Sequence, residues 1–237
     1  MKHLDNLWLY KTKAIFYNSI YLLEGAHCLL CDCVLIHGGY KNYLCHSCYK
    51  ALQDEIIDAT IYHDDYEIRA FFEYKGCAKE LIKMAKFNHS IMSCDLLINI
   101  VGDYMMQKNI ITTGKDLYFI PTPCSYSSIK NRGWDITFKW AQFLTHLFET
   151  ANIKKAILRN PFSFYLPQQK KLNRVWREQN IHARFCLNKK INLENLVLND
   201  NAQFILLDDV MTTGATLLNN FSLLSGLVKK AFVLMVD

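Results

Sequence analysis

The stretch Phe204-Ile205-Leu206-Leu207-Asp208-Asp209-Val210-Met211-Thr212-Thr213-Gly214-Ala215-Thr216 decides the fold of this chain. Four consecutive apolar residues make a buried strand. Two adjacent carboxylates sit at its end. A short turn of hydroxyl residues and glycine then opens a helix. A helix N-terminus presents unpaired backbone N–H groups and the positive end of the macrodipole. Thr212, Thr213 and Thr216 add hydroxyl donors, and Gly214 and Ala215 let an anion approach the backbone closely. The run reads as a phosphate cradle. It is not a usual nucleotide loop, because Gly-x4-Gly-Lys-Ser/Thr and Gly-x-Gly-x2-Gly are both absent. The two aspartates ahead of it suit paired hydroxyls, as on a ribose ring beside its 5′-phosphate. A Thr N-cap with an acidic turn would explain a lone Thr-Thr-Gly, but not the whole arrangement.

Around this run the hydrophobic period alternates between helix and strand. Residues 4–23 read as a helix, 49–58 as a helix leaving a cysteine module, and 59–74 as short strands. Residues 78–87 are helical, with Cys77, Leu81 and Met84 on one face and Lys79, Lys83 and Lys86 on the other. Residues 95–108 form the next helix. Residues 117–120 form a strand stopped by Pro121 and Pro123. A helix over 134–150, a strand over 155–158 and a helix over 168–178 follow. Beyond the quoted run come a helix over 215–228 and a strand over 231–236. Such alternation predicts an α/β fold, a parallel sheet with helices on both faces and ligands beyond the carboxyl ends of its strands. Residues 1–58 form an N-terminal helix and cysteine module, and 59–237 the main domain.

Of the 237 residues, 51% are hydrophobic and 13% aromatic, which excludes a disordered chain. No apolar run approaches the ~18–20 residues of a membrane span. Residues 14–23 come nearest to a signal peptide, but Asn18 and Ser19 interrupt them and Glu24 replaces a clean cleavage site. An odd count of nine cysteines without an export signal points to a reducing, cytoplasmic location without disulfides. Cys77, Cys94, Cys124 and Cys186 read as small buried hydrophobes.

The other five cysteines crowd between positions 28 and 48. Cys28-x2-Cys31 and Cys45-x2-Cys48 can surround one zinc ion tetrahedrally, and zinc would supply folding energy that so short a loop lacks. Cys33 can replace Cys31 or stand by as a spectator, and His27, His37 and His46 are nearby alternatives. Four thiolates close the site, so no catalysis is assigned to it.

The net charge of +5 is unevenly spread. Residues 154–190 hold ten Lys and Arg against Glu178 alone, which leaves the rest of the chain at −4. Interleaved with those cations are Phe162, Phe164, Tyr165, Trp176 and Phe185. Cations neutralise phosphates and aromatics stack on unpaired bases, so Lys170, Lys171, Arg174 and Arg177 are candidate single-stranded DNA contacts. A solvated face over an aromatic core is the plain alternative.

The quoted run closely resembles the phosphoribosyl pyrophosphate motif of type I phosphoribosyltransferases. Other segments resemble the ComF-type competence proteins. They are the paired Cys-x2-Cys turns, Tyr74-Lys75-Gly76 with Leu81-Ile82-Lys83 and Lys86-Phe87, and Ile120-Pro121-Thr122-Pro123 with Arg132-Gly133-Trp134-Asp135. Gln168, Leu172, Arg177, Asn180-Ile181 and Phe185 then follow in the family's order. The resemblance implies a type I phosphoribosyltransferase fold with a small zinc module. It implies that Asp208 and Asp209 hold the ribose hydroxyls and that Thr212, Thr213, Gly214, Ala215 and Thr216 bind the 5′-phosphate. Mg²⁺ would bridge pyrophosphate and ribose oxygens, in keeping with its preference for substrate phosphates. Thr122, Lys130 and Arg132 lie where this fold handles pyrophosphate. The family's Arg-Gly-Phe-Asn-Gln departs here to Trp134, Asp135 and Ile136 after Gly133, which weakens any acceptor contact at that loop. The family association is with uptake of transforming DNA and with competence-machinery partners. Three functions remain compatible: a working Mg²⁺-dependent phosphoribosyltransferase, a DNA-handling protein with a phosphoribosyl pyrophosphate site, and a structural scaffold. No residue is assigned as catalytic.

Overall fold

A computed structural model describes residues 26–35, 43–111, 116–148, 151–160, 184–191, 201–224 and 226–237. The helices predicted over 4–23 and 168–178 lie outside these residues. The chain divides into two compact units, Met1–Asp54 and Glu55–Asp237.

In the first unit, His27 and Val34 form an isolated antiparallel bridge. The Cys28 N–H donates to the Cys33 carbonyl at 2.8 Å, and the Leu29 N–H to the Tyr43 carbonyl at 2.9 Å. The second of these bonds ties the first cysteine turn to the second. Helix α1 (His46–Asp54) leaves the second turn. It ends four residues before the predicted limit, because Ile56, Ile57 and Asp58 join a strand of the second unit.

That strand is β1 (Ile56–His63), followed by β2 (Tyr66–Glu73), α2 (Gly76–Phe87), α3 (Ile91–Gln107) and β3 (Asp116–Pro121). Then come α4 (Tyr126–Arg132), α5 (Ile136–Leu147), β4 (Ala151–Ile153), β5 (Ile157–Arg159) and β6 (Phe185–Leu187). β7 (Ala202–Met211), α6 (Ala215–Leu223) and β8 (Lys230–Val236) are the last of the described elements. Six strands form one sheet in the order β1-β2-β8-β7-β3-β4, and β5 and β6 pair separately. Among the described strands of the large sheet, only β1 and β2 pair antiparallel, joined by a tight turn with Asp64 at φ 51°. The pairs β2–β8, β7–β8, β3–β7 and β3–β4 are parallel. The expected α/β architecture, a mostly parallel sheet flanked by helices, is therefore present.

Leu206, Leu207, Val233 and Leu234 are all fully buried. That is why these strands read as continuous apolar runs rather than alternating ones. Each such side chain contributes about 2 kcal/mol of burial. On one face of β7, Phe204 and Leu206 pack with Ile120, Val233, Leu217 and Phe221. On the other face of the sheet, Phe71 meets the edges of Trp140 and Phe232, with centroids at 6.1 and 5.8 Å.

Helix boundaries follow caps rather than periodicity. Ser90 accepts the Ser93 N–H at 3.2 Å, so α3 begins four residues earlier than predicted. Asp135 accepts the Thr137 N–H at 3.0 Å, so α5 begins two residues later. α6 stops at Leu223, ahead of the left-handed Gly226 (φ 80°) that turns the chain toward β8. α2 is capped from a distance: Glu55 accepts the N–H groups of Cys77 and Ala78 at 2.8 and 2.9 Å. Its buried face is Ala78, Leu81, Ile82 and Ala85, one step round from the predicted stripe of Cys77, Leu81 and Met84. No helix among the described residues is long and apolar enough to cross a membrane.

Candidate functional site

β7 does not stop at Leu207. β8 continues to pair with it, Asp208 opposite Val233 and Val210 opposite Met235. Both aspartates therefore lie inside the strand, not beyond its end. Strand alternation sends their side chains to opposite faces of the sheet. Asp208 lies on the same side as Leu206 and α6, and Asp209 meets α2 through Lys86.

Asp208 is buried, with 8% of its surface exposed. Its Oδ1 accepts the Asp209 N–H at 3.0 Å. Burial, and then the charge of Asp209, push its carboxyl up to about 8. The Asp209 N–H, Lys86 and Arg159 oppose that rise without cancelling it. Asp209 is better served: its Oδ1 accepts the Val210 N–H at 2.7 Å and pairs with Lys86 Nζ at 3.0 Å.

The following turn holds Thr212 and Thr213 exposed, and Gly214 caps α6 at φ 73°. A methyl group at Gly214 would meet only Met211 Sδ, at 3.8 Å. The glycine is required by its left-handed backbone and not by crowding. The Ala215 N–H points to Thr213 Oγ1 at 3.5 Å.

A pocket of about 300 Å³ joins these elements. Asp208, Asp209, Thr216, Thr122 and Arg132 all line it, together with Lys86, Phe87, Cys124, Ser125, Ser128 and Arg159. Thr122 is held on three sides. Its N–H donates to the Leu207 carbonyl at 2.8 Å, its carbonyl accepts Thr137 Oγ1 at 2.7 Å, and its Oγ1 accepts Asn220 Nδ2 at 3.2 Å. Arg132 is 8% exposed, its guanidinium lies 5.4 Å from the Trp134 ring centroid, and its buried Nε has no hydrogen-bond partner among the described residues. Arg159 Nε donates to the Pro123 carbonyl at 3.0 Å, and its guanidinium lies 4.4 Å from the Phe185 ring centroid. Lys130, exposed on α4, is not among the lining residues, and neither are Thr212, Thr213, Gly214 and Ala215 of the turn.

Asp135, which stands where the resembled family has Asn, caps α5 and accepts the Cys124 N–H at 2.8 Å. It therefore fixes the pocket wall from behind. Cys124 itself lines the pocket, and burial followed by the charge of Asp135 pushes its thiol up to about 12. Of the four scattered cysteines expected to be buried, Cys94 in α3 is fully buried, while Cys77, Cys124 and Cys186 are only half-buried.

Sequence periodicity puts Lys86 on the helix face opposite Cys77, Leu81 and Met84, and Arg159 reads as one of a run of cations. Only the packing of α2 and of β5 reveals their direction. Ser125 and Ser128 could have been found: Ser125 accepts the Ser128 N–H at 3.1 Å, and left-handed Gly133 (φ 82°) ends α4. A Ser cap and a trailing Gly delimit this short helix in a segment read as loop. Lys170, Lys171, Arg174 and Arg177 lie outside the described residues. Within the described part of the basic segment, Lys154 and Lys155 sit over the rings of Tyr118 and Phe138 at 5.1 and 4.0 Å.

In the first unit, Cys28, Cys31, Cys45 and Cys48 bring their sulfurs within 4.8 Å of one another. Cys31 and Cys45 Sγ are 3.7 Å apart, and the Cys48 N–H points at Cys45 Sγ at 3.4 Å. Tetrahedral zinc with ~2.3 Å bonds needs sulfurs about 3.8 Å apart, so the four thiols fit a metal such as zinc. Cys33 is outside this group.

No protein-family model matches the chain, and no curated protein matches it. Fold and sites together define an α/β protein with a mostly parallel, helix-flanked sheet and a four-cysteine cluster that can hold a metal ion.

Proposed function

We propose that the chain binds phosphoribosyl pyrophosphate in the β7 pocket and belongs with the ComF-type proteins of phosphoribosyltransferase fold. The observation that carries this reading is the convergence of Asp208, Asp209 and Thr216 with Thr122, Arg132 and Arg159 around one pocket. A buried carboxylate beside a second one, as Asp208 is beside Asp209, is costly unless a ligand uses it. The ribose hydroxyls would donate to Asp208 and Asp209, and the turn from Thr212 to Thr216 would hold the 5′-phosphate. Thr122 and the two arginines would meet the pyrophosphate. The donors are oxygens and cations, which suits Mg²⁺ arriving with the ligand and not in a cage of protein groups. Zinc in the cysteine cluster would be structural.

Through its resemblance to the competence proteins, the chain is proposed to serve uptake of transforming DNA and to bind single strands through its basic segment. Transfer to a base or amine acceptor is the second reading, favoured by Arg132 and Arg159, which could neutralise a departing pyrophosphate. The test of the first reading is thermal stabilisation by phosphoribosyl pyrophosphate with Mg²⁺. It should vanish in the double variant Asp208→Ala, Asp209→Ala, and no shift in the parent protein would refute it. Release of pyrophosphate in an acceptor screen separates enzyme from binding protein, and a filter assay with labelled single strands tests the DNA role.

A further inference from the structure

Among the described residues three cations line the pocket, and they are held differently. Arg159 is tied through Nε to the Pro123 carbonyl, and Arg132 is buried against Trp134. Lys86 arrives from α2 on a flexible stem with three rotatable donors. Its Nζ is 3.0 Å from Asp209 Oδ1, with side-chain exposures of 23% and 21%. The same oxygen already accepts the Val210 N–H at 2.7 Å. A sugar hydroxyl donating to this Oδ1 must therefore compete with the ammonium. The phosphate turn offers no alternative cation, because there is no Lys or Arg from Val210 to Val228. One phosphate can be met there by N–H and hydroxyl donors alone. Among the described residues, the cations open to a second anionic group are the pocket-lining Lys86, Arg132 and Arg159.

We propose that Lys86 is a specificity-determining residue of the pocket. It neutralises Asp209 in the free protein and passes to the second anionic group of the ligand when the sugar hydroxyls arrive. The pocket thereby selects a sugar carrying a phosphate and a diphosphate over a sugar monophosphate. This rests on the phosphoribosyl pyrophosphate reading above.

The test is calorimetric titration of the full chain with Mg²⁺–phosphoribosyl pyrophosphate and with ribose 5-phosphate. The variants are Lys86→Met, Lys86→Gln and Lys86→Arg, each checked for an intact melting transition. Loss of one charge-assisted contact should narrow the preference for the diphosphate by about tenfold or more in the Met and Gln variants. Ribose 5-phosphate affinity should not fall, since it loses only a competitor for Asp209, and Lys86→Arg should restore most of the preference. Equal losses for both ligands would make Lys86 a support for the carboxylates only, and an unchanged preference would remove it from ligand contact; either result overturns the proposal. A parent protein that binds neither ligand refutes the pocket reading itself, and the proposal with it.

Discussion

Asp208 is a carboxylate that the fold holds against its ionisation. It is 8% exposed and beside Asp209, and its carboxyl stands at about 8 where an ordinary one stands near 3.8. At about 1.36 kcal/mol for each unit, the displacement corresponds to a destabilisation on the order of 5 kcal/mol once the group is fully ionised. The sign follows from linkage. Below the unfolded value both states are protonated and nothing is lost. As pH rises, the unfolded chain ionises first and stability falls, until the folded carboxyl ionises near 8 and the loss levels off. Asp208→Asn cannot ionise and keeps an oxygen for the Asp209 N–H, so it escapes the loss. Melting curves of parent and variant should lie close together near pH 4 and diverge up to about pH 8. For a chain of this size the final gap is roughly 10 °C or more in favour of Asn. Scanning calorimetry across that range reads the gap directly, and ligand stabilisation should be lost in the same variant. Curves that stay parallel at every pH, or a variant less stable than the parent at the alkaline end, would refute the reasoning.

Two further outcomes follow from other parts of the molecule. Metal analysis of purified protein should find about one zinc equivalent per chain, falling well below that in Cys45→Ser; a full equivalent in that variant would contradict the four-thiolate assignment. Asp58, held left-handed at φ 45°, grips Arg69 (Nη2–Oδ2 2.8 Å) and accepts Tyr104 Oη at 3.0 Å. Asp58→Ala should cost about 2 kcal/mol in denaturant unfolding near neutral pH. Arg69 holds the Asp58 carboxyl below its usual range, so this contribution is present above the ordinary carboxylate value and fades as pH falls through the lowered one.

The strand-acid-turn run was legible because its parts are local: four apolar residues, two acids, hydroxyls and a glycine in order. The extent of β7 was not, because its last residues are strand only through pairing with β8, more than twenty residues away in sequence. The same holds for Lys86. A helical wheel shows which residues share a face, but only the position of α2 against β7 makes one of three lysines a partner of Asp209 while Lys83 stays with Glu80. Glu55 capping α2 is invisible for a like reason, since its partners lie 22 and 23 residues on. The cysteine cluster was legible from spacing, and the four sulfurs that lie mutually within 4.8 Å are those of the two Cys-x2-Cys turns.

On the proposed reading, Asp208, Asp209 and the 212–216 turn form a binding site for a phosphorylated ribose. Isothermal titration with phosphoribosyl pyrophosphate and Mg²⁺ tests it most directly. One saturable site per chain, abolished in Asp208→Asn with Asp209→Asn while the melting transition stays intact, is the predicted result. A properly folded parent protein that gives no binding heat up to millimolar ligand, or a double variant that binds as the parent does, would contradict it.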